Sequence, residues 1–312
     1  QIENKLKIFM LLLLLDKESP STKSRDFSAH IEKHLEKLHI DYQISNFEQT
    51  EFFIEPRGVD VLIENLPIST WSTIYPRKVG RQKCAAHLLA RTCDKSSIRF
   101  LDPFHKQIKD ASDSAKIVQI FNLAQAEVPI PKTYFSPSYT DVHIENASKY
   151  LGFPVVVKES NTSHGLGVFL AKNQEDLKDI LQARQALPEK RTLFLQEFID
   201  NTFEYRLLVL GNTVAVAEKK VRDRKREFRN NVHLGATEEF INPTLVELTA
   251  KEAAILAAET TNIEVAGVDV VINKEGCPII FEVNSCPEFT LDEEISNEIE
   301  KLSEYLALCE RT

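Results

Sequence analysis

Glycine is scarce in this sequence, with 9 among 312 residues. The few that cluster therefore mark places where the backbone must turn or approach a neighbour closely. Cysteine comes in an odd number: Cys84, Cys93, Cys277, Cys286 and Cys309. None forms a Cys-x-x-Cys pair, so neither a zinc site nor a disulfide framework is expected. A reducing, cytoplasmic setting is the simplest compartment. Basic residues are outnumbered, giving a net charge of −9 and a pI near 5.5. That balance argues against a general nucleic-acid binder. A long hydrophobic run is also missing. Ile8 to Leu15 is too short to span a bilayer. It is followed by Asp16-Lys17-Glu18 and lacks a small-residue cleavage site, so it is not expected to be a signal peptide. It reads instead as a buried parallel strand, and no membrane partner is expected. Beginning at Gln1, the sequence leaves its native start open. No internal repeat or low-complexity segment is present.

What is there is ordinary globular composition, 43% apolar and 27% charged, long enough for two or three subdomains. Residues 5–15 read as a first strand. Phe27, Ile31, Leu35 and Leu38 recur at a helical period. Strands follow at Ile40 to Phe47, Val59 to Ile63 and Ile98 to Leu101, with a helix from Arg81 to Ala90. Strands alternating with helices predict a parallel, doubly wound sheet ending near residue 110. Asp113 to Ala126 is a helix with Ile117, Ile120, Phe121 and Ala124 on one face. Strands are expected at Val155 to Lys158 and Val168 to Ala171, then a helix from Glu175 to Leu187. Leu193 to Phe198, Tyr205 to Leu210 and Thr213 to Glu218 are further strands. An alanine-rich helix, Thr249 to Thr260, precedes a hairpin, and Leu291 to Leu306 closes the chain as a helix. The expected fold class is α/β, turning α+β in its C-terminal part. Its expected units are 1–110, 111–190 and 191–312.

The hairpin is the most informative stretch. Ala266-Gly267-Val268-Asp269-Val270-Val271-Ile272 and Ile279-Ile280-Phe281-Glu282-Val283-Asn284 flank the turn Lys274-Glu275-Gly276-Cys277. Alternation puts Glu282 and Asn284 on one face. A register placing Asp269 opposite Glu282 brings two carboxylates and an amide oxygen together, a set suited to Mg²⁺. A solvated hairpin face is the bland alternative. Lys158 ends an apolar strand, where an ammonium calls for an anion. The loop Ser160-Asn161-Thr162-Ser163-His164-Gly165-Leu166-Gly167 is rich in small residues that admit phosphates to the backbone. It is no Walker A motif, and His164 reads as a loop residue. Gln196 and Glu197 interrupt an apolar strand where backbone can meet an adenine edge between apolar walls. Arg222, Arg224, Lys225, Arg226 and Arg229 form a basic run. It reads either as a solvated loop or as a holder of phosphates or a carboxylate substrate.

In order, these fragments are strand-lysine, a G-x-G loop, Gln196-Glu197-Phe198-Ile199, Glu204-Tyr205-Arg206, Phe228-Arg229-Asn230-Asn231, Ala266-Gly267-Val268-Asp269 and Glu282-Val283-Asn284. The order resembles the ATP-grasp superfamily, most closely the RimK-type carboxylate–amine ligases that attach glutamate to ribosomal protein. The resemblance covers roughly residues 74–290 and includes Tyr75-Pro76-Arg77-Lys78-Val79-Gly80 and Asp113-Ser114-Ala115-Lys116. It implies an ATP-grasp fold behind an N-terminal doubly wound pre-ATP-grasp domain. It further implies that Lys116 and Lys158 contact nucleotide phosphates and that Gly165 and Gly167 lie in the flap over them. Gln196, Glu197 and Phe198 become the adenine hinge, and Glu204 the ribose contact. Arg229, with Asn230 and Asn231, takes the nucleotide and transition-state contacts, and Asp269, Glu282 and Asn284 the metal. Glu204 stands where aspartate is usual and Asn230 where serine is common. Glu288 stands in Asn284-Ser285-Cys286-Pro287-Glu288 where the family has glycine, which bears on the acceptor pocket.

The implied reaction is ATP-dependent amide formation through an acylphosphate. The implied cofactors are ATP and Mg²⁺, two ions, with Mn²⁺ as an alternative. Lys158, Arg229 and Arg206 are the expected catalytic residues, Arg206 holding a substrate carboxylate or the transferring phosphoryl group. An amino acid or an acidic peptide or protein is the expected substrate, and homo-oligomers occur in the family. Two other readings stand beside the ligase: a kinase acting on a polyanionic small molecule, and an ATP-binding regulator without turnover.

Overall fold

The computed structural model describes residues 10–15, 22–56, 58–107, 116–160, 167–187, 192–221 and 237–311. The elements of the first part are β1 (Leu11–Leu15), α1 (Thr22–Lys37), β2 (Tyr42–Asn46), β3 (Thr50–Glu55), β4 (Gly58–Ile63), β5 (Leu66–Pro67), β6 (Thr73–Arg77), α2 (Lys83–Cys93) and β7 (Arg99–Phe100). Strand β1 is a run of leucines whose first four are fully buried. Leu11 and Leu13 pack under α1, and Leu12 and Leu14 pack with Ile74, Ala86 and Leu89 on the opposite face. A strand buried on both faces has no polar side to show, hence the continuous run. It sits inside a parallel sheet of order β2-β1-β6-β7.

This is the expected doubly wound sheet with one correction. Val59–Ile63 is not its third strand. It lies in β4, the middle of a separate antiparallel meander of order β3-β4-β5. Thr73–Arg77 is the third parallel strand. The physical reason is exposure: β4 buries only Val61 and Ile63, so it cannot occupy the two-sided interior that β6, buried throughout, fills.

The central part comprises α3 (Lys116–Gln125), β8 (Thr133–Tyr134), α4 (Asp141–Leu151), β9 (Val155–Glu159), β10 (Val168–Ala171), α5 (Gln174–Gln185) and β11 (Leu193–Glu197). Its sheet, of order β10-β9-β11-β8, has helices α4 and α5 on one face over Val155, Val157, Leu193 and Leu195. The expected boundary at residue 190 therefore falls just before a strand that hydrogen-bonds into the central sheet. In α3 the buried residues are Ile120 and Leu123, while Phe121 is 62% exposed instead of sharing the inner face. Helix α4 was not read from the sequence.

The last part contains β12 (Phe203–Leu210), β13 (Thr213–Val221), β14 (Thr237–Ile241), α6 (Leu248–Thr261), β15 (Val265–Ile272), β16 (Pro278–Asn284) and α7 (Glu298–Arg311). Five antiparallel strands run in the order β14-β13-β12-β15-β16. The alanines of α6 let it lie close on one face, against Leu207, Val209, Val268 and Val270. On the other face, Leu208, Leu210, Val216 and Val265 join the N-terminal core under α7. The closing helix starts at Glu298, later than the expected Leu291. No helix among the described residues is long and apolar enough to cross a membrane.

Asp102 ties the first sheet to the last. Its buried carboxyl accepts hydrogen bonds from the backbone N–H groups of Glu264 at 2.8 Å and Val265 at 3.0 Å. Burial outweighs these bonds and pushes its pKa from 3.8 up to about 7. A carboxyl raised on folding contributes stability that is complete below its unfolded value and is lost as pH rises through its folded one. Asp102→Asn, which keeps the acceptor, should match the wild-type Tm in acid. It should gain on the wild type between pH 3.8 and about 7, then hold a constant lead. Parallel melting curves across that interval would refute the assignment.

Candidate active site

The core-free end of the five-stranded sheet carries charge. On β12, Tyr205, Leu207 and Val209 point to α6, so Glu204 and Arg206 point the other way. On β15 the same alternation sends Asp269 to that face, where it is cross-strand partner to both Arg206 and Glu282. The register on which the sequence reading made the metal set conditional, Asp269 opposite Glu282, is the one found. A β-bulge is what makes it work. Asp269 pairs with Glu282 but Val270 pairs with Ile280, so Phe281 is an extra residue. Ile280 and Val283 can then both face the core while Phe281, Glu282 and Asn284 remain on the charged side. Without the bulge Glu282 would share the face of Ile280.

Each carboxylate of the pair holds a cation. Arg206 forks onto Asp269 through Nε at 2.8 Å and Nη2 at 2.9 Å. Burial pushes Asp269 up, but the guanidinium beside it wins and holds its pKa below the usual range. Asp269 in turn raises that of Arg206. Glu282 pairs with Lys116 at 2.9 Å. Lys116 opens α3, whose start is fastened to the end of β9: Lys116 N donates to Ser160 O at 3.4 Å and Ile117 N to Ser160 Oγ at 3.3 Å. One turn on, Gln119 clamps the edge strand. Its Nε2 donates to Val283 O at 2.8 Å, and its Oε1 accepts from Val283 N at 3.1 Å. Gln119 was not foreseen. Its only trace in the sequence is a polar residue three places after Lys116 on a helix.

The central sheet forms the opposite wall. Val156, Lys158, Phe194 and Gln196 lie on its face away from α4 and α5. Lys158 Nζ sits 5.4 Å from the ring centroid of Phe281, the bulge residue, which joins the two walls. Desolvation first, and repulsion from Lys116 second, lower the Lys158 pKa to about 8 against the pull of Glu282, Glu204 and Asp269. Gln196 is buried. Its Nε2 donates to Thr133 Oγ1 at 2.9 Å, while its Oε1 is buried without a partner among the described residues. The N–H of Glu197 goes to Lys132 O at 3.0 Å, and its side chain accepts from Lys132 N at 2.8 Å. The N–H of Phe198 donates to Pro154 O at 3.3 Å. The backbone N–H groups of Glu197 and Phe198 in the expected hinge are thus engaged.

Glu204 is buried and faces Lys220 across the strands. Lys220 lies 3.6 Å from Glu218, itself the cross-strand partner of Arg206. Burial, opposed by Lys220, pushes Glu218 to about 8. Neither Glu218 nor Lys220 was singled out from the sequence, although their spacing of two on β13 puts them on one face.

Gly167 closes the expected phosphate loop at φ +75°, and a Cβ there would stand 2.6 Å from Glu159 Oε2. Glu159 is buried and paired with Arg184, which lies over the Phe169 ring at 5.0 Å. Gly267 is needed for space: a Cβ would meet Pro287 at 2.8 Å. Gly165, His164, Arg229, Asn230, Asn231 and the basic run from Arg222 lie outside the described residues. No three His, Cys, Asp or Glu side chains gather for a metal among the described residues. The oxygen set is the carboxylate pair with Asn284 nearby on the same strand.

Solved structures share this fold. The ATP-grasp ligase PsnB, complexed with minimal precursor, Mg and ADP, superposes with a TM-score of 0.71 over 96% of this chain and 97% of its own at 12% identity. A RimK domain ATP-grasp protein from Sphaerobacter thermophilus DSM 20745 gives 0.62 over 94% and 98% at 16% identity. The fold is that of an ATP-grasp protein. The profile of the RimK-like ATP-grasp domain matches residues 111–303. A probable alpha-L-glutamate ligase of Vibrio atlanticus (strain LGP32) is 33% identical over 261 residues, 81% of this chain and 78% of that one. One of the same name from Coxiella burnetii (strain RSA 493 / Nine Mile phase I) is 36% identical over 168 residues. That alignment covers 53% of each chain, so the chain spans only about half the length of some of these relatives. The chain belongs to the RimK-like ATP-grasp family, which joins carboxylates to amines at the expense of ATP.

Two measurements follow from the geometry. Gly167→Ala forces a Cβ into both a left-handed backbone and Glu159, and should lower stability by about 1–3 kcal/mol; an unchanged denaturant midpoint would refute the close packing. If Lys158 holds ATP phosphates, as the resemblance implies, ATP affinity should fall as pH rises through about 8, where its ammonium is lost. Lys158→Arg, charged throughout, should flatten that limb, whereas identical pH slopes in binding titrations would remove Lys158 from the phosphates.

Proposed function

We propose that this chain is an ATP-dependent ligase that activates a carboxylate as its acylphosphate and joins it to the amine of an amino acid or a short acidic peptide. The observation that carries the proposal is the cross-strand pair Asp269 and Glu282, each matched to its own cation and set beneath Lys158. A line of fixed charges between two walls is the preorganised environment that phosphoryl transfer needs. Relatives named probable alpha-L-glutamate ligase and structures of ligases with precursor peptides support the substrate class.

In this reading the carboxylate oxygen attacks the γ-phosphorus of ATP and the bond to the β-phosphate oxygen breaks, releasing ADP. The amine nitrogen then adds to the carbonyl carbon, loses a proton and expels phosphate. Lys116 and Lys158 hold phosphate oxygens, and Lys116 exchanges its Glu282 contact for the nucleotide. Gly167, with Gly165, shapes the flap that keeps water from the acylphosphate. Gln196, Glu197 and Phe198 line the adenine end, and Glu204 faces the ribose. Asp269, Glu282 and Asn284 would hold Mg²⁺, and their hard oxygen set fits it. When bound, the ion neutralises charge on the β- and γ-phosphates. Arg206 keeps Asp269 ionised and aimed, a positioning role in place of the substrate contact expected for it. Arg229, Asn230 and Asn231 complete the transition-state contacts. The division near residues 110 and 190 and the cytoplasmic setting belong to the same reading.

Glu282→Gln should cut ADP release at least about 100-fold while leaving the circular dichroism spectrum unchanged; full activity would sink the site. Hydroxylamine added to the wild type should trap a hydroxamate, which a kinase acting on a hydroxyl does not yield.

A further inference from the structure

A strand at the margin of a sheet leaves a row of backbone N–H and C=O groups without a neighbour, and proteins cover or blunt such rows. The longest marginal strand among the described residues is β16, and it is covered: Ile280 N donates to Pro129 O at 2.8 Å, and Gln119 takes both polar groups of Val283. The next longest, β3, is open. It pairs with β4 along one side in an unbroken register, from Thr50 opposite Ile63 to Glu55 opposite Gly58. From Glu51 to Glu55 no backbone group bonds to any described residue outside that pair of strands. The strand has no bulge, no proline and no lysine, the usual devices against pairing. Its guard is charge of one sign, Glu51 and Glu55.

Alternation gives the hairpin of β3 and β4 two faces. Phe52, Val61 and Ile63 turn to the core beneath. Ile54 and Val59 share that face as a cross-strand pair, but they lie past the core and are 70% and 46% exposed. The other face carries Glu51, Phe53 and Glu55, with Asp60 opposite Phe53, which is 47% exposed. Both faces of β3 therefore present apolar surface beside an open edge. The three carboxylates are exposed, and no basic side chain stands among the described residues of the hairpin. The hairpin packs on the face of the first sheet opposite the one that joins the last sheet, so this surface lies apart from the charged row.

This combination selects an occupant. An acidic strand repels nucleic acid and anionic lipid. A second copy would set glutamate against glutamate whether the strands ran parallel or antiparallel about Phe53, and like charges directly opposite are destabilising. A strand that is basic where β3 is acidic gains from the same charges. We propose that β3 docks an extended segment of a partner protein by strand addition, with basic residues opposite Glu51 and Glu55 and apolar residues opposite Phe52, Phe53 and Ile54. The two glutamates flank the three apolar residues symmetrically, so the complementary pattern, basic-apolar-apolar-apolar-basic, reads the same in either strand direction. Main-chain hydrogen bonds supply the affinity and the carboxylates choose the sequence. The inference stands independently of the ligase reading.

The probe is a fluorescein-labelled peptide, Gly-Ser-Arg-Val-Val-Ile-Arg-Ser-Gly, titrated with the full chain by anisotropy beside a control in which both arginines are glutamate. The arginine peptide should bind at least about tenfold tighter, the swing expected when two facing pairs change from opposite to like charge, and should lose that lead as salt screens it. Glu51→Lys together with Glu55→Lys, both at exposed positions, should invert the preference. Binding should slow amide hydrogen exchange in β3 and in no other marginal strand. The comparison of the two peptides needs no variant, so it holds where the double variant fails to fold. Equal binding of the two peptides, binding of neither, or protection of another strand in place of β3 overturns the inference. Sedimentation of the chain as a dimer that Phe53→Lys dissolves overturns it in favour of a second copy.

Discussion

The site depends on one piece of strand pairing, the register that sets Asp269 between Arg206 and Glu282. Pairing alone does not suffice, because strict alternation would turn either Ile280 or Val283 out of the core. The extra residue at Phe281 lets both stay buried against α6 and keeps Glu282 on the charged side. The bulge also offers the Phe281 ring to Lys158, so the irregularity that orients a carboxylate links the two walls.

Around that row the protein compensates buried charge locally. Asp269 and Glu282 each have a cation in contact, and Glu218 has Lys220 beside it. Removing Arg206 would leave Asp269 buried and unmatched, which costs more than the pair contributes. Gln119 adds to this from α3 by taking both polar groups of Val283 on the edge strand, which would otherwise go unpaired at the sheet rim.

Much of this was legible in the sequence because period-two alternation is a local signal. Val268, Val270 and Val283 against Asp269, Glu282 and Asn284 announce two faces, while the register and the bulge at Phe281 came only with the structure. Lys158 was legible because a lysine ending an apolar strand is anomalous. Val59–Ile63 misled because a short apolar run does not say which sheet it joins; exposure decides that, and exposure is a tertiary property. Gln119 and the Asp102 tie act between segments 160 or more residues apart. No window of sequence contains both partners. Gly167 and Gly267 stood out by scarcity, but their reasons differ: one is left-handed against Glu159, the other makes room for Pro287.

The most direct measurement is the mass of the product formed from Mg-ATP with a panel of amino acids, alone and with short acidic peptides, alongside released ADP. A product heavier by one dehydrated amino acid, with one ADP per bond, is the result the charged row and its family predict. ATP consumed with a phosphorylated product and no amide, or ATP bound without turnover across the panel, would contradict it.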